Sequence, residues 1–151
     1  MFDPSNVDPD LERIRVAYHE AGHALVAWKL GIPFSEVSAP PRGEGGVARA
    51  LAEIQRQRGE TAMHVAAAVF LMGGQCAQLR WDPASSSFGC EQDLADASLH
   101  AERRTVHLNL FEDQAADLIR ENWNRVEALA AALLNQPIIN ADEATRLFEQ
   151  T

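Results

Sequence analysis

The stretch that decides the reading of this chain is His19-Glu20-Ala21-Gly22-His23. Residues four apart on a helix lie one above the other, so His19 and His23 can aim one ring nitrogen each at a single point. Val16, His19, His23, Val26 and Leu30 fall on one helical stripe, which sets both imidazoles within an apolar face. Two buried imidazoles without partners are costly, and a shared metal ion satisfies both at once. Glu20 stands one step round from the first histidine, beside such an ion rather than on it.

Zinc fits this donor set best. It takes imidazole and carboxylate ligands tetrahedrally, and a catalytic site keeps three protein ligands and one open position. In the HExxH pattern the glutamate serves as general base toward water at the metal. Ala21 and Gly22 are small enough to let another element or a substrate backbone approach. The pattern therefore predicts a hydrolase, with Glu20 as its base and a third ligand still to be found.

Working outward, Asp8-Pro9 reads as a cap followed by proline at the first helical position, opening a helix that carries the motif to Leu30, where Gly31 and Pro33 end it. From 34 to 52 the character changes. Val37 and Ser38 lead into Pro40, Pro41 and the glycines 43, 45 and 46, then Val47-Ala48-Arg49-Ala50-Leu51, which predicts two short strands around a turn. A strand edge beside a peptidase site would take an extended peptide by strand addition, although the same residues read equally well as a plain surface hairpin.

A second helix is expected over 61–80, with Gly73-Gly74 in its middle, where each glycine costs about 1 kcal/mol relative to alanine and marks close helix contact. The uncharged part of this segment, 61–79, contains His64, Gln75 and Gln78, and its apolar heart falls well short of the roughly 20 residues a membrane span needs. It reads as a buried core helix. Asp82-Pro83 and the serines 85–87 form a loop, and Gly89-Cys90-Glu91-Gln92-Asp93 opens a third helix with Leu94, Ala97 and Ala101 inward. A fourth helix is expected over 113–134, with Ala116, Ile119, Trp123, Val126, Ala130 and Leu133 on one face, stopped by Asn135 and Pro137. Asn140 with Glu143 is a capping pattern for a last short helix.

A chain of 151 residues with 46% hydrophobic content is sized for one domain with a real core. Its formal charge of −9 argues against nucleic-acid partners and anionic membranes. The basic pairs Arg56 with Arg58 and Arg103 with Arg104 are short and flanked by acids, as on solvated helix faces. Two cysteines, Cys76 and Cys90, match no zinc-ribbon spacing, and the opening residues lack a basic start followed by an apolar core, so a reduced, cytoplasmic setting is expected.

The third ligand should come from Glu91, Asp93, Asp96, Glu102, His100 or His107. Asp93 leads narrowly, because it stands beside the apolar Leu94 in the first turn of the third helix. Glu91 and Asp96 are equally at home as acids near a helix N-terminus. His64, His100 and His107 read as ordinary surface or core histidines.

The run Val16-Ala17-Tyr18-His19-Glu20-Ala21-Gly22-His23-Ala24-Leu25-Val26 resembles the zinc motif of the FtsH-type peptidase domain. Pro41-Arg42-Gly43 is similar to the strand-loop that follows it in that family. Gly73-Gly74 resembles its paired glycines, Gly89 to Leu94 its third-ligand segment, and Glu121-Asn122-Trp123-Asn124-Arg125 part of its long C-terminal helix. The resemblance implies a single domain over 1–151, a mainly α helical peptidase domain with a small β-hairpin or sheet beside the zinc site. It implies His19, His23 and Asp93 as zinc ligands, Glu20 as catalytic base, and a polypeptide substrate.

The sequence departs from the family in places. No G-x-x-x-x-G-K phosphate loop and no membrane helix occur in these residues, so the expectation is a stand-alone zinc metalloendopeptidase acting alone or with a separate ATPase. Gln75 and Gln78 stand where the family carries an arginine and an acid, which leaves open what supports the ligands from behind. The stretch 105–112 is short, so ring assembly does not carry over and oligomeric state is undetermined. The alternatives are a noncatalytic zinc-containing module that binds a peptide or protein, and a hydrolase of a non-peptide amide.

Overall fold

The computed structural model describes residues 9–39, 46–49, 59–84, 90–103 and 108–151. The expected cap at Asp8, the turn around Pro41, the loop serines, Gly89, Arg56, Arg58, Arg104 and His107 lie outside them. In chain order the elements are α1 (Pro9–Leu30), β1 (Phe34–Ser38), β2 (Gly46–Arg49), α2 (Glu60–Trp81), α3 (Glu91–Arg103), α4 (Leu108–Glu121), α5 (Trp123–Asn135), β3 (Ile138–Asn140) and α6 (Ala141–Gln150). The fold is mainly α with one small antiparallel sheet, as expected.

Helix α1 begins with Asp10 and Glu12 in its first turn and ends with Lys29 in its last, each sign matched to the helix dipole. It stops at Gly31, whose φ of 69° suits a residue without Cβ. The Ile32 N–H donates back to the Ala27 carbonyl at 2.8 Å and the Gly31 N–H to Trp28 at 3.3 Å, the paired bonds of a Schellman cap.

Helix α2 is the centre of the molecule, packed against α1, α3 and α4. It is long and apolar enough to cross a membrane by length and composition, and its burial from Ala66 to Gly74 inside the fold accounts for that character. Where it crosses α1 the two backbones touch. A Cβ on Gly22 would fall on the Gly73 carbonyl and lie 2.6 Å from Ala77 Cβ, and one on Gly73 would lie 2.7 Å from Val26 Cγ2. The glycine pair thus marks helix contact, as its cost in a helix interior predicts.

Two expectations are corrected. The single helix over 113–134 is two helices, α4 and α5, broken at Asn122. The buried Asn122 amide donates to the Leu118 carbonyl at 2.8 Å while its own carbonyl accepts from Arg125 and Val126, so asparagine closes one helix and opens the next. Within α4 the buried positions run Phe111, Ala115 and Ile119, so Ala115 and not Ala116 is buried, while Ile119, Val126, Ala130 and Leu133 face inward as expected. The sheet is also larger than a hairpin: its order is β2-β1-β3, and β3 pairs Ile139 with Val37. Three residues after Pro137 are too few to show an alternating pattern. The last helix opens as its capping pattern predicts, with the Glu143 N–H donating to Asn140 Oδ1 at 2.9 Å.

Aromatic rings tie the C-terminal helices to α1. Tyr18 lies between Trp81 and Trp123, with centroids at 5.4 and 5.5 Å, and Trp28 packs on Phe148 at 5.1 Å. The alanine-rich α5 therefore packs within the chain, against α1. Both β1 and β2 also lie against α1, the helix of the histidine pair.

Candidate metal centre

Helix α1 buries His19, Glu20 and His23, and a ligand atom from each lies within 4.8 Å of the others. Helix α3 brings Asp93 to the same point. Its Oδ2 lies 2.9 Å from His19 Nε2 and 3.0 Å from His23 Nε2, and the two Nε2 atoms are 3.1 Å apart. Three donor atoms from two helices, separated by 70 residues or more, thus converge.

The outer ring nitrogens are held separately. His23 Nδ1 donates to the Phe70 carbonyl at 2.8 Å, and the Phe70 ring stacks on the imidazole with centroids 4.8 Å apart. His19 Nδ1 is 3.1 Å from Gln78 Oε1, which also accepts from Arg15 at 3.1 Å and from Cys90 Sγ at 3.5 Å. Arginine only donates, so it identifies the Gln78 atom as the oxygen. His19 Nδ1 must then carry its proton, which leaves a lone pair on Nε2. A carbonyl imposes the same tautomer on His23.

Gly74 sits directly beneath both rings. A Cβ there would lie 2.5 Å from His23 Nε2 and 2.6 Å from His19 Nε2, so the second glycine of the pair makes room for the donor atoms themselves. The donor set suits zinc: two imidazoles and a carboxylate with the lone pairs turned inward.

Burial lifts the Glu20 carboxyl to about 7, against an opposing pull from His19 and a further push from Asp93. Glu20 Oε2 is buried and accepts no hydrogen bond among the described residues. Burial pushes Asp93 the same way, but with no ion bound the His19 and His23 rings, when they carry a proton on Nε2 as well, donate to it, outweigh burial and hold this carboxylate well below the usual range. One acid is kept charged and the other is set near neutrality, a separation typical of sites with divided acid and base roles.

The other candidates for third ligand go elsewhere. Asp96 accepts from Gln92 at 2.8 Å, Glu102 is exposed, and His100 faces His64. The Glu91 side chain and His107 lie outside the described parts. The sequence alone does not show what backs the histidines; Gln78 does so for His19. Gln75 does not share the task, since its Oε1 is buried without a hydrogen-bond partner among the described residues.

Fold and site together define a helical domain of the metallopeptidase class. The chain belongs to peptidase family M41, whose sequence profile matches residues 7–108. Similar proteins include three named ATP-dependent zinc metalloprotease FtsH. That of Mesomycoplasma conjunctivae is 32% identical over 66% of this chain, and that of Metamycoplasma arthritidis 31% identical over 67%; each match covers 14% of the relative. The Nitrosococcus oceani protein is 26% identical over 91% of this chain and 29% of its own length. The chain therefore corresponds to less than a third of each of these relatives.

Proposed function

We propose that this domain is a zinc-dependent endopeptidase in which His19, His23 and Asp93 hold the ion and Glu20 is the general base. The observation that carries the reading is the convergence of His19 Nε2, His23 Nε2 and Asp93 Oδ2 within 2.9–3.1 Å beside the buried Glu20, whose Oε2 has no hydrogen-bond partner among the described residues. When bound, zinc supplies a Lewis acid that acidifies water toward a pKa of about 7 and polarises a carbonyl.

The chain's own residues do the rest. Glu20 takes a proton from the attacking water and returns it to the departing amine. A carboxyl set near neutrality serves both directions. Gln78 and the Phe70 carbonyl fix the two imidazoles so that neither turns while this happens. A polypeptide substrate fits the sheet: among the described residues β2 pairs only with β1, and its other edge offers backbone groups to an extended peptide. The relatives named ATP-dependent support delivery of folded substrates by an ATPase. The reduced, cytoplasmic setting belongs to the same proposal.

The test is zinc content and cleavage of unfolded casein in the wild type, Glu20→Gln and Asp93→Asn. Glu20→Gln should keep its zinc and lose roughly 10²–10⁴-fold in rate, the usual worth of a positioned base. Asp93→Asn should lose zinc. Undiminished cleavage by Glu20→Gln ends this mechanism, and zinc without cleavage in the wild type points to a noncatalytic peptide-binding module.

A further inference from the structure

A second pair of histidines lies on the seam between α2 and α3. His64 of α2 is buried, at 5% exposure, and its Nδ1 lies 2.5 Å from Nδ1 of His100 on α3, with ring centroids 4.8 Å apart. His64 Nε2 faces Glu60 Oε1 at 3.4 Å, one turn back on the same helix. A carboxylate accepts only, so the Nε2 proton points to Glu60 and the lone pair of His64 sits on Nδ1, toward His100. For His64 this repeats the logic of the first centre, where an engaged outer ring nitrogen turns the inner lone pair toward the partner ring.

The pair is remote from that centre. His64 precedes Gly74 by about 15 Å of helix, and His100 follows Asp93 by about 10 Å. We propose that His64 and His100 form a second, weaker site for a borderline divalent cation such as Zn²⁺. Imidazole nitrogen suits such ions, and metal–nitrogen distances near 2.0–2.1 Å ask the two atoms to open only to about 3.3 Å. Glu60 orients His64 from behind. With two protein ligands among the described residues against three, this site fills after the first. Its ion joins α2 to the far end of the helix that carries Asp93. The proposal stands apart from the peptidase reading, since it needs neither Glu20 nor the first ion.

The experiment is equilibrium dialysis of the full, metal-stripped chain against Zn²⁺ with elemental analysis, in the wild type, His23→Ala, His64→Leu and His100→Leu. The expected result is two ions in the wild type and loss of the weaker one in either leucine variant, with the stronger one kept. His23→Ala should lose the stronger and keep the weaker. Its melting temperature should still rise on adding Zn²⁺, which a His23→Ala/His100→Leu protein should not show. Stoichiometry unchanged by His64→Leu and His100→Leu overturns the proposal and places any second ion elsewhere, for instance on His107. Should His64→Leu fail to fold, the ring proton signals of His64 and His100 in the His23→Ala protein decide. Broadening by Co²⁺ supports the site, whereas a response to pH but not to Co²⁺ shows a pair that merely shares a proton.

Discussion

Glu20, as the proposed base, is the residue at which function and stability pull against each other. Its carboxyl titrates near 7 in the fold against about 4.5 for an ordinary glutamate, because burial disfavours its charge. The folded state therefore binds more protons than the unfolded chain between those values. Stability from this group is present below pH 4.5 and lost as pH rises through about 7. At 1.36 kcal/mol per unit the cost at pH 8 is about 3 kcal/mol. Metal-free Glu20→Gln should consequently be more stable than the metal-free wild type at pH 8, with the gap closing near pH 4.5. Denaturant titrations at the two pH values check this, and a gap independent of pH would contradict it. Gln78 yields a second residue-level expectation. Gln78→Ala removes the acceptor of His19 Nδ1 and should weaken zinc binding about 10–100-fold, while Gln78→Glu keeps an acceptor there and should hold zinc at least as tightly as the wild type. Competition with a chromophoric chelator measures both.

At the scale of elements, the crossing of α1 and α2 is governed by backbone, not by side chains. Alanine exceeds glycine in helix propensity by about 1 kcal/mol, so Gly22→Ala would stabilise an isolated α1. Here the added Cβ meets the Gly73 carbonyl, which belongs to a buried helix and cannot turn away. The helices would have to part, and overpacking of this kind costs about 1–3 kcal/mol or more. Gly22→Ala should therefore lower the melting temperature and loosen zinc, because Gly74 and Phe70 ride on the same helix. Thermal unfolding monitored by circular dichroism tests the sign.

The elements also show what a sequence can and cannot disclose. The local pattern placed His19, Glu20 and His23 together, since positions four apart on a helix need no tertiary knowledge. The sequence favours Asp93 only narrowly, because its neighbours arrive from a helix 70 residues away. The Phe70 carbonyl was invisible, as every residue has one. Gln78 was visible only as an odd residue at its position. The break at Asn122 hid inside a good heptad pattern, and β3 was too short to carry a period. His64 and His100 looked ordinary one at a time, and only the fold sets them face to face.

For the whole molecule, the candidate metal centre is also a tie between α1 and α3. A ligand that binds only the folded state stabilises it by about 2.7 kcal/mol at a hundred times its dissociation constant. For a domain of this size, stripping zinc with a chelator should lower the melting temperature by about 5–10 °C, and restoring zinc should recover it. Calorimetry on stripped and reloaded protein measures the shift. Glu20→Gln should show at least the wild-type shift, because it keeps all three ligands.

The division of the donors between two distant helices has a consequence during synthesis. A nascent chain presents its histidine pair before Asp93, yet those two residues alone make a poor site. The third donor emerges from the ribosome some seventy residues later, and it reaches the pair only when α3 has docked against α2. Cutting power on this reading is withheld until the fold that controls it is complete, which spares half-made copies and their neighbours from premature attack.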